Sequence, residues 1–385
     1  MICVSKLKKT VKAMVFGFFR LLSRRRTIVF ESAPDFGDNT YPVFLEMVAR
    51  GLGERYTLVW SCGKEETLPQ PVAGVKYIYP KKEGLKEKLR KLYYMANAKC
   101  MICCNQFLTP GLKSQTAFYL THGVPMKSVH DYYIVPESIN YCLSAGQGVE
   151  AMMAYEFNMA REKMVSLGYP RNDILTQPPV PVKEMLETDC KKVIVWYPTF
   201  RNHKNGLTAG SGKALPIIHD TQTAEKVNAW ARELGVLLVL KPHFAQDLRQ
   251  IKAMELSNIR FIGDDFFVNH NTTSYAFVAG CDALLTDYSS IYFDYTLCDK
   301  PIGLIWEDIE DYRKNPGFAV DVDEYGKGGV KIYDPEDFHR FLQEVSTDTD
   351  TCREERRKIR DLCNYAPDGE STRRVTDFII EKSGL

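Results

Sequence analysis

Charge of one sign, disulfide patterning, low-complexity tracts and internal repeats are what this chain of 385 residues lacks. Its 50 Lys and Arg face 49 Asp and Glu, a formal net charge of +1, so no global basic field marks it for nucleic acid. The 11 cysteines are odd in number. They are scattered through strand-like runs (Cys62, Cys100, Cys103, Cys104, Cys142, Cys281), which suits a reducing compartment better than a disulfide framework. Cys100, Cys103 and Cys104 have no second Cys or His pair at ligand spacing, so a buried strand is expected there rather than zinc. A glycine-rich Walker sequence is absent, which argues against a nucleoside triphosphatase.

What is present is a globular composition, 45% hydrophobic and 26% charged, in a chain long enough for two cores. Residues 1–26 stand apart. Lys6, Lys8, Lys9, Lys12, Arg20, Arg24, Arg25 and Arg26 meet no acid, while Leu7, Val11, Met14, Phe18 and Leu21 recur at helical spacing, with Phe19 beside them. Interrupted by Lys12 and Arg20, the apolar part is too short to span a bilayer, and no small-residue cleavage site follows. The expectation is a peripheral helix on an anionic cytoplasmic membrane surface, contacting it through Lys8, Lys12, Phe18, Phe19, Arg24 and Arg25. The plainer alternative is a helix docked on the protein's own core.

From Thr27 the chain alternates strand and helix. Apolar runs at 27–30, 56–60, 75–79, 99–104, 117–120 and 140–143 read as strands, and 41–52, 85–96 and 149–163 as helices. A proline-dense break at Pro178, Pro179 and Pro181 separates this half from a second alternating series that begins at Val193. The second series has strands at 193–197, 236–240, 259–262, 283–286 and 301–305, and closing helices at 336–345, 351–362 and 369–382. The expected organisation is a helix over 1–26, a parallel-sheet α/β domain over 27–180, a second over 190–363 and a closing helix over 364–385.

Ligands of open parallel sheets bind beyond the carboxyl ends of the strands, and the chemistry-bearing residues gather there. Leu284-Leu285-Thr286-Asp287-Tyr288-Ser289-Ser290 reads as a buried strand turning directly into a helix, offering two hydroxyls and free N–H groups to an anion, or simply an N-cap. Tyr197-Pro198-Thr199-Phe200-Arg201 ends another strand with a guanidinium, and Lys241-Pro242-His243 a third with Lys and His. In the first half, Thr121-His122-Gly123-Val124-Pro125-Met126-Lys127 holds a His at the start of a shaped loop, either a satisfied structural residue or a proton acceptor. Asp287 reads as a turn or capping residue before a catalyst, and no pair of carboxylates stands out as a metal site.

Those segments, in that order and with Gly168-Tyr169-Pro170-Arg171-Asn172-Asp173, Asp38-Asn39 and Asp368-Gly369-Glu370-Ser371-Thr372-Arg373-Arg374, resemble the CDP-glycerol glycerophosphotransferase family of wall teichoic acid primases and polymerases. The chain departs from that set at Thr121, Met126 and Ser128-Val129-His130, in the loop expected to meet the acceptor. The resemblance implies a GT-B fold of two Rossmann-like domains. It also implies transfer of glycerol phosphate, or a related polyol phosphate, from CDP-glycerol to a hydroxyl of a polyprenyl-diphosphate-linked glycan, with release of CMP; since no carboxylate pair stands out, no metal or other cofactor is expected to be required. On this basis His122 and His243 are the expected catalytic residues. Thr199, Arg201, Lys241, Ser289 and Ser290 are expected to bind the donor phosphates, with Gly123, Lys127, Arg171 and Asp287 as further candidates. A sugar-transferring GT-B enzyme and a catalytically silent membrane scaffold are the competing readings.

Overall fold

Every strand pairing within the two sheets is parallel, as the alternation of strand and helix requires. The computed structural model describes residues 14, 16–21, 26–63, 74–79, 84–199, 215–242 and 249–385. The chain divides into two compact units. The first takes the residues up to His122, then Tyr133–Asp173 and Asp368–Leu385; the second takes Gly123–Tyr132 and Ile174–Pro367.

The first unit is built on β1 (Thr27–Glu31), β2 (Thr57–Ser61), β3 (Lys76–Ile78), β4 (Ala98–Cys103), β5 (Thr116–Tyr119), β6 (Tyr141–Ser144) and β7 (Met164–Ser166). They lie in the order β3-β2-β1-β4-β5-β6-β7. The order reverses between β1 and β4, which defines the crevice where an open α/β sheet receives its ligand. Both faces are covered, so β1 is buried at every position and reads as an unbroken apolar run until Glu31. Helices α1 (Thr40–Ala49) and α2 (Leu85–Asn97) are part of that cover. Phe36 and Phe30 stack on Trp60, and Phe44 meets its edge, an aromatic cluster that anchors the loop after β1. The C-terminal helix Ser371–Ser383 returns to this unit, packing on α1 and placing Phe378 against Phe118 and Tyr141.

Residues 16–21 are helical and dock on the same unit. Phe16 is buried, Phe19 meets the Tyr93 ring edge-on, and Arg20 donates to the Ser114 hydroxyl at 2.7 Å. Met14, Phe18 and Leu21 lie on the other face, 69%, 61% and 87% exposed. Lys8, Lys12, Arg24 and Arg25 lie outside the described residues. No helix among the described residues is long and apolar enough to cross a membrane.

The second unit is built on β8 (Lys192–Trp196), β9 (Val236–Leu240), β10 (Ile259–Phe261), β11 (Ala283–Thr286), β12 (Ile302–Ile305) and β13 (Val330–Ile332). Their order is β10-β9-β8-β11-β12-β13, and the reversal falls between β8 and β11. Helices α3 (Thr221–Glu233) and α5 (Pro335–Ser346) bury Ala224, Val227, Phe338, Phe341 and Leu342 in one core with Trp196 and Leu238. Asp220 caps α3 with a reciprocal capping box to Thr223. The short α4 (Ile291–Tyr295) follows β11 after a four-residue turn, with Tyr292, Phe293 and Tyr295 buried. Gly123–Tyr132 belongs here because Ser128 donates to the Gly317 carbonyl and Ala319 to the Met126 carbonyl, pairing Lys127 antiparallel to Phe318.

Candidate functional site

At the carboxyl edge of the first sheet, His122 leaves the end of β5 through a tightly tied backbone. Thr121 is buried with φ of 52°, and its hydroxyl bonds to the Leu143 carbonyl and the Tyr169 hydroxyl. The Asn39 amide, fully buried at the start of α1, donates to the Leu120 and Thr121 carbonyls at 3.0 and 3.1 Å. Arg171 donates to the His122 carbonyl at 2.9 Å while paired with Asp38 at 2.6 Å. Its guanidinium is thereby committed to holding the loop, so Arg171 supports His122 rather than standing free for a ligand.

The imidazole is exposed along one side and crowded on the other. Nδ1 lies 3.2 Å from the Cys104 carbonyl and 3.3 Å from the Tyr119 hydroxyl, which also bonds to Tyr133. A carbonyl only accepts, so Nδ1 carries the proton and Nε2 keeps its lone pair. Crowding of the charged form by protein lowers the His122 pKa, opposed by Asp38 and the Cys104 carbonyl and aided by Arg171. A neutral imidazole with a free Nε2 is a proton acceptor.

At the carboxyl edge of the second sheet, Asp287 is fully buried at the β8/β11 reversal. Its carboxylate accepts the Thr199 N–H at 2.9 and 3.0 Å, the Thr199 hydroxyl, and the Tyr288 N–H at 2.7 Å. Asp287 therefore ties two strand ends together, and the Thr199 hydroxyl is spent on it. Ser289 and Ser290 are half-buried, and neither caps α4 through its side chain. Because α4 has five residues and one 3₁₀ turn after it, an anion there would meet hydroxyls and free N–H groups more than a helix dipole. Lys241 pairs with the exposed Asp264 at 3.0 Å and lies over the Tyr197 and Phe267 rings. Tyr288 donates to Asp308 at 3.0 Å and packs on Tyr312 and Phe318. His219 pairs with Glu307 at 2.6 Å, fixing the segment before α3 to the end of β12.

The first unit thus gathers His122 and Arg171, and the second gathers Thr199, Lys241, Asp287, Ser289 and Ser290, with Lys127 on its strip beside Phe318 and Gly123 at φ of 136°. Arg201 and His243 lie outside the described residues. Sequence reasoning left out Glu31, Tyr119, Tyr133, Glu307 and His219 as site residues. Only Glu31 carried a local signal, an acid closing an otherwise apolar strand.

Residues 13–381 match the family model described as CDP-Glycerol:Poly(glycerophosphate) glycerophosphotransferase. The chain belongs to this family. As a glycerophosphotransferase it is a transferase, and its two parallel-sheet units are those of the GT-B fold. It is 25% identical over 348 residues to the teichoic acid poly(glycerol phosphate) polymerase of Bacillus spizizenii, covering 83% of this chain and 84% of the relative. Against the enzyme of the same name from Bacillus subtilis it is 25% identical over 353 residues, but spans 44% of that longer protein. The structure of the wall teichoic acid polymerase TagF superposes with a TM-score of 0.70 at 20% identity, covering 99% of this chain and 98% of that one. A variant of TagF has also been solved after a soak with CDPG.

Proposed function

We propose that this transferase moves glycerol phosphate, or a related polyol phosphate, from its CDP-activated form to a hydroxyl of a lipid-linked glycan acceptor and releases CMP. The observation that carries the reading is the His122 imidazole, whose Nδ1–H is spent on the Cys104 carbonyl and whose Nε2 is left to accept a proton. Family membership and the teichoic acid polymerases among the relatives support the donor class.

The acceptor hydroxyl attacks the phosphorus that bears the glycerol and gives its proton to Nε2 of His122. A new P–O bond forms as the bond from that phosphorus to the bridging oxygen breaks, and the bridging oxygen leaves with CMP. Charge moves onto the departing nucleotide, so the protein's task is positioning and charge neutralisation. Ser289, Ser290 and Lys241 receive the pyrophosphate in this reading, joined by Arg201, and His243 holds or protonates the phosphate side. The exposed Met14, Phe18 and Leu21 face, in a segment whose sequence also carries Lys8, Lys12, Arg24 and Arg25, holds the enzyme at the cytoplasmic leaflet where a polyprenyl-linked acceptor resides.

The test is CMP release from CDP-glycerol and CDP-ribitol with a synthetic lipid-linked disaccharide. Acceptor-dependent release by the wild type, reduced at least ~100-fold in His122→Ala and His243→Ala, is the expected result. Release that survives both substitutions would remove the two histidines from the chemistry. No release from either donor, with turnover of a UDP-sugar instead, would overturn the reading altogether.

A further inference from the structure

Glu31 closes β1 at the point where the order of the first sheet reverses, and β4, its neighbour across that crevice, leads into Cys104, Asn105 and Gln106. The residue is 2% exposed. Its Oε2 accepts the N–H groups of Asn105 at 3.1 Å and Gln106 at 2.9 Å, while Oε1 is buried with no hydrogen-bond partner among the described residues. Around the same turn, the Asn105 side chain accepts the Ala33 N–H at 2.8 Å and the Cys104 thiol points back to the Glu31 carbonyl. The Cys104 carbonyl in turn receives Nδ1 of His122. One carboxyl group thus holds the turn whose preceding carbonyl orients the imidazole.

We propose that Glu31 is a positioning residue for His122: its carboxyl group clamps the Asn105–Gln106 turn and so fixes the Cys104 carbonyl that selects the Nδ1–H tautomer. The inference rests on the reading of His122 as proton acceptor and adds the element that sets its tautomer. The clamp is stronger when Glu31 is ionised, because N–H bonds to a carboxylate are charge-assisted. Burial pushes the carboxyl up to about 7, helped by Asp35 in the following loop and opposed by the N–H groups of Asn105, Gln106 and Cys104. The other titratable groups facing it are the Cys103 and Cys104 thiols of β4 and the residue after it, both held protonated by burial. Asp38 and Arg171 act one step further on, at His122. The clamp therefore tightens as pH rises through about 7, above the lowered pKa of the imidazole it serves.

Two measurements on the full chain test this. In protein labelled with ¹⁵N-histidine, with the His122 signals assigned by their loss in His122→Asn, the wild type is expected to show the Nδ1–H tautomer at pH 8. Glu31→Ala is expected to show a mixture of tautomers, and Glu31→Gln, which keeps an acceptor, to restore the wild-type pattern. In CMP release from CDP-glycerol, kcat of the wild type is expected to rise severalfold between pH 6.5 and 8. Glu31→Gln is expected to lose that rise, and Glu31→Ala to fall about tenfold in kcat with KM for the donor unchanged. An unaltered His122 tautomer in folded Glu31→Ala, or a kcat rise that persists in Glu31→Gln, would overturn the proposal. Because the labelling experiment needs no substrate, a wild type inactive with CDP-glycerol would count against the proposed reaction and leave the clamp to be judged by the tautomer alone.

Discussion

Glu31 and Asp287 occupy corresponding places in the two sheets: each closes a strand beside the reversal and accepts backbone N–H groups from the strand end across the crevice. They differ in saturation. Both Asp287 oxygens are engaged, whereas Glu31 leaves Oε1 unpartnered among the described residues, and burial pushes its carboxyl up to about 7. The sign for stability follows. Between the ordinary value of 4.5 and about 7 the folded chain holds a proton at Glu31 that the unfolded chain has released, so its favourable contribution is complete below about 4.5 and is lost as pH rises through about 7. The loss is worth about 3 kcal/mol. The stability of Glu31→Gln relative to wild type is therefore expected to improve between pH 5 and pH 8, read by urea unfolding at both values. At Asp287 truncation strands the Thr199 N–H, and Asp287→Ala is expected to lose about 2 kcal/mol of stability in the same measurement and bind CDP-glycerol at least ~10-fold more weakly by calorimetry. Residues such as Ser289 and Lys241 were legible as types at strand ends. The commitment of Thr199 to Asp287 and of Arg171 to Asp38 and His122 was not, because those partners are 88, 133 and 49 positions apart.

Among the elements, the loop after β1 links core to chemistry. Phe36 places its ring 4.3 Å from Trp60, and two residues later Asp38 and Asn39 begin the contacts that hold Arg171 and the His122 backbone. Phe36→Ala is expected to cost about 3 kcal/mol of stability and to lower kcat while leaving donor KM unchanged, since the loop it anchors carries the Asp38 and Asn39 contacts that hold Arg171 and the His122 backbone. Steady-state kinetics beside a thermal melt separates the two effects. Strand positions were readable where apolar runs reach four or five residues. β7 and β13, three residues each, were not read as strands, although β3 and β10 are no longer and were. The helix expected over 149–163 stops at Glu156 because Asn158 turns left-handed at φ of 51°, and a separate 3₁₀ turn covers 161–163.

For the whole molecule, the alternation of strand and helix was enough to foresee two parallel sheets, because buried βαβ units leave an unmistakable rhythm of apolar runs. It did not give the membership of the units, since the expected domain over 27–180 includes residues 123–132, which group with the second unit, and the expected separate closing helix groups with the first. That residues 123–132 pair with 317–319 and that 371–383 pack on α1 depends on contacts between segments remote in sequence. Ser371 and Thr372 donate to Asp173, and Arg50 pairs with Asp377, so the last helix is fastened to the first unit at both polar and apolar points. Removing residues 368–385 is expected to lower the melting transition of the first unit and expose Phe118 and Tyr141, with amide exchange in β8, β9 and β11 little changed. Hydrogen exchange read by mass spectrometry distinguishes this from a uniform loss.

The return of the last helix also sets an order of events on the ribosome. The strands of the first unit emerge early, yet the helix that covers Phe118 and Tyr141 is translated only after the entire second unit. The half synthesised first is thus completed last, and its apolar flank waits uncovered through roughly ten to forty seconds of elongation at ~5–20 residues per second.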